Sequence, residues 1–333
     1  MKRRRYYDFL VIGLGSMGKR RVRCLQTLQI KDIIGFDLRE DRRLEAKNKY
    51  GIEVIASLDD IDISKCDAMI VSTPPDKHTY YVKIAIDYNK PVFVEASVIK
   101  EEVTEIQRYN VNNTFIAPSC TLRFHPIIQD ITAIIKSGKY GKITNFSYHS
   151  GQYLPDWHPW ERVDQFYVSN RLTGGGREIV PFELTWLVDT IGWPQDIKGC
   201  FEKTIDFGIN IEDSYAFILK YPSMVGVVIV DVAARYAVRN LIINLENAQI
   251  QWRWDDLCFN LYESESNRWI KYSQPEFNSE SGYNRNIGEK MYVDEIRCFV
   301  SAIAGEKVYP NTINDDIKVL ELLNIIEESD GGF

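Results

Sequence analysis

The chain has 333 residues, 45% of them apolar and 26% charged, which are ordinary values for a globular protein long enough to form two domains. Its net charge of −7 argues against nucleic acid or another polyanion as a partner. No stretch approaches the roughly 20 consecutive apolar residues of a membrane-spanning helix, so no membrane partner is expected.

The basic start, Lys2-Arg3-Arg4-Arg5, is followed by an apolar run too short for a signal peptide, and it reads as a solvated terminus. That run, Phe9 to Ile12, is a buried strand, read at 8–12. It breaks into Gly13-Leu14-Gly15-Ser16-Met17-Gly18 and then a helix, 16–28, with Met17, Val22, Leu25 and Leu28 as apolar positions. In this spacing Gly13 permits a tight turn, Gly15 lets the backbone approach a pyrophosphate, and Gly18 lets helix pack on strand. The free N–H groups of the helix start then face the anion. A second strand, 32–37, ends in Asp37, nineteen residues after Gly18, where an acid can accept both hydroxyls of an adenosine ribose. Together these elements predict a dinucleotide site.

Further strands are read at 53–55, 68–73, 91–95 and 114–117, and helices at 40–49, 77–89 and 101–111. The alternation predicts a doubly wound parallel sheet, with ligand at the carboxyl ends of the strands. Ser72-Thr73-Pro74-Pro75-Asp76-Lys77-His78 and Glu95-Ala96-Ser97 occupy two of those ends.

A second region starts near Cys120. Pro126 opens a helix to Lys136. Strand signals follow at 143–149, 198–207, 214–220, 224–232, 240–245, 249–254 and 257–262, joined by hairpin-type connections such as Tyr221-Pro222-Ser223. They predict a large, mostly antiparallel sheet with two apolar faces, one of them packed on helices or on a partner subunit. Between its first two strands lies a polar-aromatic insertion, Gln152 to Arg177, with Tyr153, Asp156, Trp157, His158, Trp160, Glu161 and Arg162, then Gly174-Gly175-Gly176. Its flat apolar surfaces with polar edges suit a carbohydrate. A helix from Arg177 to Ile191 follows, and helices at 289–303 and 313–328 close the chain. The six cysteines are scattered, without a C-x-x-C pair, and read as free thiols of a reducing compartment, so a cytoplasmic location is expected. The four histidines show no ligand spacing, and no metal site is expected.

In order along the chain, the glycine turn, Asp37, Ser72-Thr73-Pro74-Pro75-x-x-His78, Val94-Glu95, Arg123-Phe124-His125-Pro126 and Tyr153-Leu154-Pro155-Asp156-Trp157-His158-Pro159 resemble the glucose–fructose oxidoreductase, inositol dehydrogenase and rhizopine-catabolism family (Gfo/Idh/MocA). The last segment is similar to members of surface-sugar biosynthesis clusters. The resemblance implies an α/β chain with a Rossmann NAD(P)-binding domain over residues 1–120. A substrate-binding and oligomerisation domain, α+β with an open sheet, would cover 121–333. It further implies hydride transfer at a sugar or cyclitol carbinol, and homo-oligomers through the C-terminal sheet.

Carried over residue by residue, the resemblance places the cofactor on Gly13, Gly15, Ser16, Met17, Gly18, Asp37, Arg39, Ser72, Thr73, Pro74, His78, Glu95 and Ala96. Substrate would meet Arg123, Tyr153, Trp157, His158 and Glu178. Asp37 favours NAD, while Arg39, Arg42 and Arg43 leave NADP possible. The chain departs from the family at Glu95-Ala96-Ser97, where relatives carry Glu-Lys-Pro with the lysine as acid/base or substrate orienter. It departs again on the helix after the glycines, where the family's Asp and His align with Val180 and Glu183, or, in a register shifted by a residue or two, with Glu178. Glu183, His158 and Glu95 are therefore the candidate catalytic groups, with His78 behind them. The expected function is a nicotinamide-dependent sugar oxidoreductase with relocated acid/base groups. The alternatives are a dinucleotide-binding protein with a regulatory role, and a glycoside hydrolase that uses bound NAD.

Overall fold

A computed structural model of the chain describes residues 7–157, 161–274 and 288–330. Two compact units make it up: Met1–Thr121 with Met291–Lys318, and Leu122–Lys290 with Val319–Phe333.

The first unit is built on β1 (Tyr7–Ile12), α1 (Ser16–Thr27), β2 (Ile33–Phe36), α2 (Glu40–Tyr50), β3 (Glu53–Ile55), β4 (Cys66–Val71), α3 (His78–Asp87), β5 (Val92–Val94), α4 (Lys100–Tyr109) and β6 (Ile116–Pro118). All six strands run parallel, in the order β3-β2-β1-β4-β5-β6. The order reverses between β1 and β4, which is where a doubly wound sheet opens a crevice for ligand. Both sheet faces are covered. Leu10 and Ile12 join one core with Met69, Val71, Val82, Ile86 and Ile106. On the other face, Phe299 of the late segment packs its ring 6.3 Å from Phe9 and 5.8 Å from Phe93. Burial on two sides explains why β1 and β4 are continuous apolar runs without alternation.

The second unit contains α5 (Pro126–Lys136), β7 (Ile143–Tyr153), α6 (Gly176–Ile191), β8 (Asp196–Glu202), β9 (Ser214–Lys220), β10 (Val225–Asp231), β11 (Ala233–Leu245), β12 (Ala248–Arg253), β13 (Cys258–Glu263) and β14 (Arg268–Ser273). Of the last two helices, α7 (Glu289–Ile303) belongs from Met291 on to the first unit, and α8 (Ile313–Ser329) is divided between the units after Lys318. The eight strands are ordered β14-β13-β12-β11-β7-β10-β9-β8. Every neighbouring pair is antiparallel except β7 with β10. Side chains alternate across this sheet. Phe146, Tyr148, Phe217, Leu219, Val228, Val230, Leu241 and Ile243 are buried. On the other face, Ile242, Ser147, Val227 and Ile218 stand in one cross-strand row. Val227 and Ile218 in that row are 45% and 51% exposed, so this is an apolar face that the described chain leaves open. No helix among the described residues is long and apolar enough to cross a membrane.

Candidate functional site

The glycine turn is shaped by close approach. Gly13 has φ +88°, and a Cβ there would lie against the Ser72 carbonyl at the end of β4. A Cβ on Gly18 would run into the Gly13 carbonyl oxygen, so α1 starts directly on the turn. Gly15 is the N-cap of α1; no side chain caps the helix, and its first turn, with Ser16 and Met17, carries no acidic residue. Those are the conditions under which backbone N–H groups and the helix dipole receive a phosphate.

Asp37 follows β2 and is tied to the turn. Its Oδ2 accepts from the Leu14 N–H at 2.7 Å and its Oδ1 from the Arg39 N–H at 2.8 Å. The carboxylate is thus fixed next to the pyrophosphate turn with lone pairs left for two hydroxyls. Of the three nearby arginines, Arg39 forks onto Asp41, and Arg43 donates to the Asp37 and Leu38 carbonyls. Arg42 leans over Gly15, with Nη1 3.9 Å from Asp37 Oδ2.

Ser72, Thr73 and Pro74 form the turn after β4. The Ser72 hydroxyl donates to Glu95 Oε1 at 3.1 Å. The Thr73 hydroxyl is buried and has no hydrogen-bond partner. His78, the first residue of α3, is buried and sets Nε2 2.9 Å from the Thr73 carbonyl oxygen. An oxygen there requires the proton on Nε2. Burial pushes the imidazole pKa below its ordinary value, so the ring is a neutral donor that pins the turn.

Glu95 follows β5 and is gripped by Arg21 of α1, Nε to Oε1 at 2.7 Å and Nη2 to Oε2 at 2.8 Å. The third arm of Arg21, Nη1, donates to Glu295 at 2.8 Å. Glu295 is fully buried and also accepts from the Cys120 N–H and from the hydroxyls of Ser119, Thr121 and Tyr309. Burial opposes the charge of Arg21, but the two carboxylates outweigh it and hold the guanidinium protonated. Ala96, next to Glu95, is partly exposed and has no titratable group. Arg21 and Glu295 are site-supporting residues that the motifs do not mark. The available signal was Arg21 itself, a charge on the apolar stripe it shares with Cys24, Leu25 and Leu28.

In the second unit each expected residue has contacts of its own. Arg123 donates from Nε to the Thr185 carbonyl at 3.0 Å, bracing α6. Tyr153 ends β7 with the Arg235 guanidinium 4.0 Å over its ring. The Trp157 indole N–H is buried without an acceptor. His158 lies outside the described residues. Glu183, on α6, is fully buried. Its Oε1 accepts from Ser150 at 2.8 Å and from Arg239 Nε at 2.9 Å; its Oε2 accepts from Tyr148 at 2.7 Å and Trp186 at 2.9 Å. With two donors on each oxygen, Arg239 among them, this side chain ties the helix to the sheet. Glu178, five residues earlier, projects from a different side of the same helix. Its Oε1 accepts from the Tyr167 hydroxyl at 2.7 Å, and its Oε2 is buried with no partner. Among the described residues no group of His, Cys, Asp and Glu is placed to hold a metal.

Residues 7–109 match the family model Gfo/Idh/MocA, described as an oxidoreductase family with an NAD-binding Rossmann fold. No curated protein matches the chain. Among solved structures, the chain is similar to an oxidoreductase from Agrobacterium radiobacter in complex with NAD+, L-tartaric acid and magnesium (TM-score 0.84, 13% identity, 98% of this chain and 97% of that one). It is similar to levoglucosan dehydrogenase in complex with NADH and L-sorbose (TM-score 0.84, 14% identity, 98% and 97% covered). It also resembles a myo-inositol dehydrogenase, so named provisionally, from Sinorhizobium meliloti 1021 (TM-score 0.76, 17% identity, 98% of each chain). At these identities the structural likeness shows the fold alone. The glycine turn, the uncapped helix and the fixed Asp37 fit NAD.

Proposed function

We propose, from the match of residues 7–109 to the oxidoreductase family with an NAD-binding Rossmann fold, that the chain is an NAD-dependent enzyme transferring a hydride to or from a carbinol or ketone of a sugar or sugar derivative. The observation that carries this reading is Asp37 fixed by the Leu14 N–H beside an uncapped α1. Bound NAD supplies the hydride acceptor. The chain's own residues supply the rest. The N–H groups at the start of α1 bind the pyrophosphate, and Asp37 accepts the adenosine ribose hydroxyls. The buried Thr73 hydroxyl offers an unused bond at the carboxyl end of β4, on the half of the sheet where a doubly wound fold carries the second mononucleotide. Glu95, immobilised by Arg21, orients Ser72 of that turn.

The sugar class is supported by the aromatic residues Tyr153 and Trp157 and by the sugar and cyclitol dehydrogenases among the similar folds. Residue 96 cannot exchange a proton, which favours, as a second reading, a dinucleotide-binding regulator without turnover. The row of Ile242, Val227 and Ile218 on the open sheet face supports a homo-oligomer through that face. The test is incubation of the purified protein with NAD+ and a panel of sugars, polyols and uronic acids while the absorbance of reduced nicotinamide is followed. Reduction with any of them supports the enzyme; tight NAD binding with no reduction across the panel supports the regulator.

A further inference from the structure

Beside the end of β7, its partner strand β11 leaves the ladder. Ala233 pairs with Tyr153 and Val238 with Gly151, so residues 234–237 bulge out between them. The bulge is fastened at its base. Asp231 Oδ1 accepts from the Ala233 N–H at 3.0 Å and the Ala234 N–H at 2.7 Å, and its Oδ2 lies 2.7 Å from His149 Nε2. Gly151 makes room for it, since a Cβ there would lie 2.8 Å from Ala234 Cβ and 2.9 Å from Asp231 Oδ2.

Bulges re-aim side chains, and here the side chain is Arg235. It is exposed, and its guanidinium lies 4.0 Å over the Tyr153 ring, which Phe207 supports edge-on with ring centroids 5.8 Å apart. Arg235 has no acidic partner among the described residues. The other arginines of the insertion and of β11 each have one: Arg162 pairs with Asp164, Arg171 with Glu212, Arg177 with Glu327 and Arg239 with Glu183. Asp231, at the end of β10, is already committed to the bulge and to His149. An arginine held on an aromatic face without a carboxylate keeps its fork of N–H donors for a ligand.

A second donor lies on the adjoining turn. The Leu154 N–H donates to the Val232 carbonyl at 3.0 Å, fastening the turn after β7 to the chain just before the bulge, and the backbone N–H of Trp157 closes that turn on the Leu154 carbonyl at 3.1 Å. The Trp157 indole N–H is buried without an acceptor. A buried donor left unpaired is costly, so an acceptor belongs there.

We propose that the substrate is a sugar bearing an acid group, a carboxylate or a phosphate, and that Arg235 selects it by pairing with that group, with the Trp157 indole N–H as a second donor to the sugar. That the ligand is a sugar rests on the hydride-transfer reading above; that it is an anion rests on Arg235 and Trp157. Arg235 binds and takes no part in moving the proton or the hydride.

The test is calorimetric titration of the NAD-loaded protein with matched sugars: aldonates and hexuronates for the carboxylate, hexose phosphates for the phosphate, and their neutral parents. At least one acid should bind about tenfold or more tighter than its neutral parent, and added salt should narrow the gap. The arm that shows the preference identifies the acid group. Arg235→Gln should abolish the preference and leave NAD affinity and the melting temperature unchanged, because the side chain is exposed. Arg235→Lys should keep part of it, since an ammonium retains the charge and loses the fork. Trp157→Phe should weaken the preferred acid and its neutral parent alike. Neutral parents that bind as tightly as every acid, no binding by any acid, or a preference that survives in Arg235→Gln overturns the proposal. Acids that bind through Arg235 and never reduce NAD+ overturn the hydride-transfer reading instead and leave the anion site standing.

Discussion

Arg21 grips Glu95 through two parallel hydrogen bonds, Nε to Oε1 at 2.7 Å and Nη2 to Oε2 at 2.8 Å, and so ties the first helix of the dinucleotide fold to the end of its fifth strand. The guanidinium is buried, and its third arm holds the buried Glu295. Removing it strands two carboxylates. Arg21→Met should lower the unfolding free energy by about 3–5 kcal/mol, the usual effect of breaking a buried pair from one side. Arg21→Lys should still destabilise, because an ammonium cannot reproduce the fork. Urea denaturation reads both, and a loss below about 1 kcal/mol for Arg21→Met would contradict the role.

Asp37 makes two kinds of contact, and they predict a split effect. Asp37→Ala should weaken NAD binding about tenfold or more by removing the ribose acceptor. It should also cost about 1 kcal/mol of stability, because the Leu14 and Arg39 N–H groups lose their acceptor. The same carboxylate faces a 2′-phosphate, so NADP should bind wild type more weakly than NAD. Calorimetric titration with both nucleotides decides this; tighter NADP binding would shift the assignment to Arg42.

Glu183 and Glu178 share a helix and should respond differently to the same change. Glu183→Gln leaves Arg239 buried without its counter-charge, and stability should fall by about 3–5 kcal/mol. In Glu178→Gln the melting temperature should hardly move. Thermal denaturation of the two variants side by side checks the contrast.

His125 makes stability depend on pH. It packs between Trp252 and Trp254, ring centroids 5.4 and 5.2 Å away, and burial, aided by Arg239, pushes its pKa down to about 3. An unfolded histidine titrates near 6.5. Between those values the unfolded chain binds a proton that the native chain does not. The contribution is therefore complete above about 6.5 and is lost as the pH falls towards 3, at up to about 1.4 kcal/mol per pH unit. Wild type should lose about 2 kcal/mol more than His125→Phe between pH 7 and pH 5. Equal losses would contradict the assignment.

How much of this was legible in the sequence follows from what each feature depends on. The first unit reads clearly because β1, β2 and β4 are buried on both faces and appear as bare apolar runs, and because the glycine spacing is dictated by backbone contacts that admit nothing larger. In the second unit, β14 (Arg268–Ser273) escapes notice. It is an edge strand, mostly exposed, with no apolar alternation to detect. β11 begins at Ala233, seven residues before the strand read at 240–245, because Arg235 and Tyr236 lie in an outer stretch that packs on no core. Glu183 stands out in sequence as an acid on an apolar helix, and that pattern serves a buried ion pair as readily as catalysis. Which of the two it is depends on Arg239, Tyr148 and Ser150, whose approach is a matter of tertiary structure. The Arg21–Glu295 pair spans 274 residues and has no local trace beyond a charge in an apolar stripe.

The central claim is hydride transfer between NAD and a sugar-type carbon, and isotope transfer tests it most directly. The protein is incubated with NADH carrying deuterium at the reactive nicotinamide carbon and with a panel of ketoses and keto-sugars, and the products are weighed by mass spectrometry. One deuterium should appear on the new carbinol carbon of at least one sugar, with an equal amount of NAD+ formed. Full retention of the label on the nicotinamide with every ketone, in protein that binds NADH, would contradict the account.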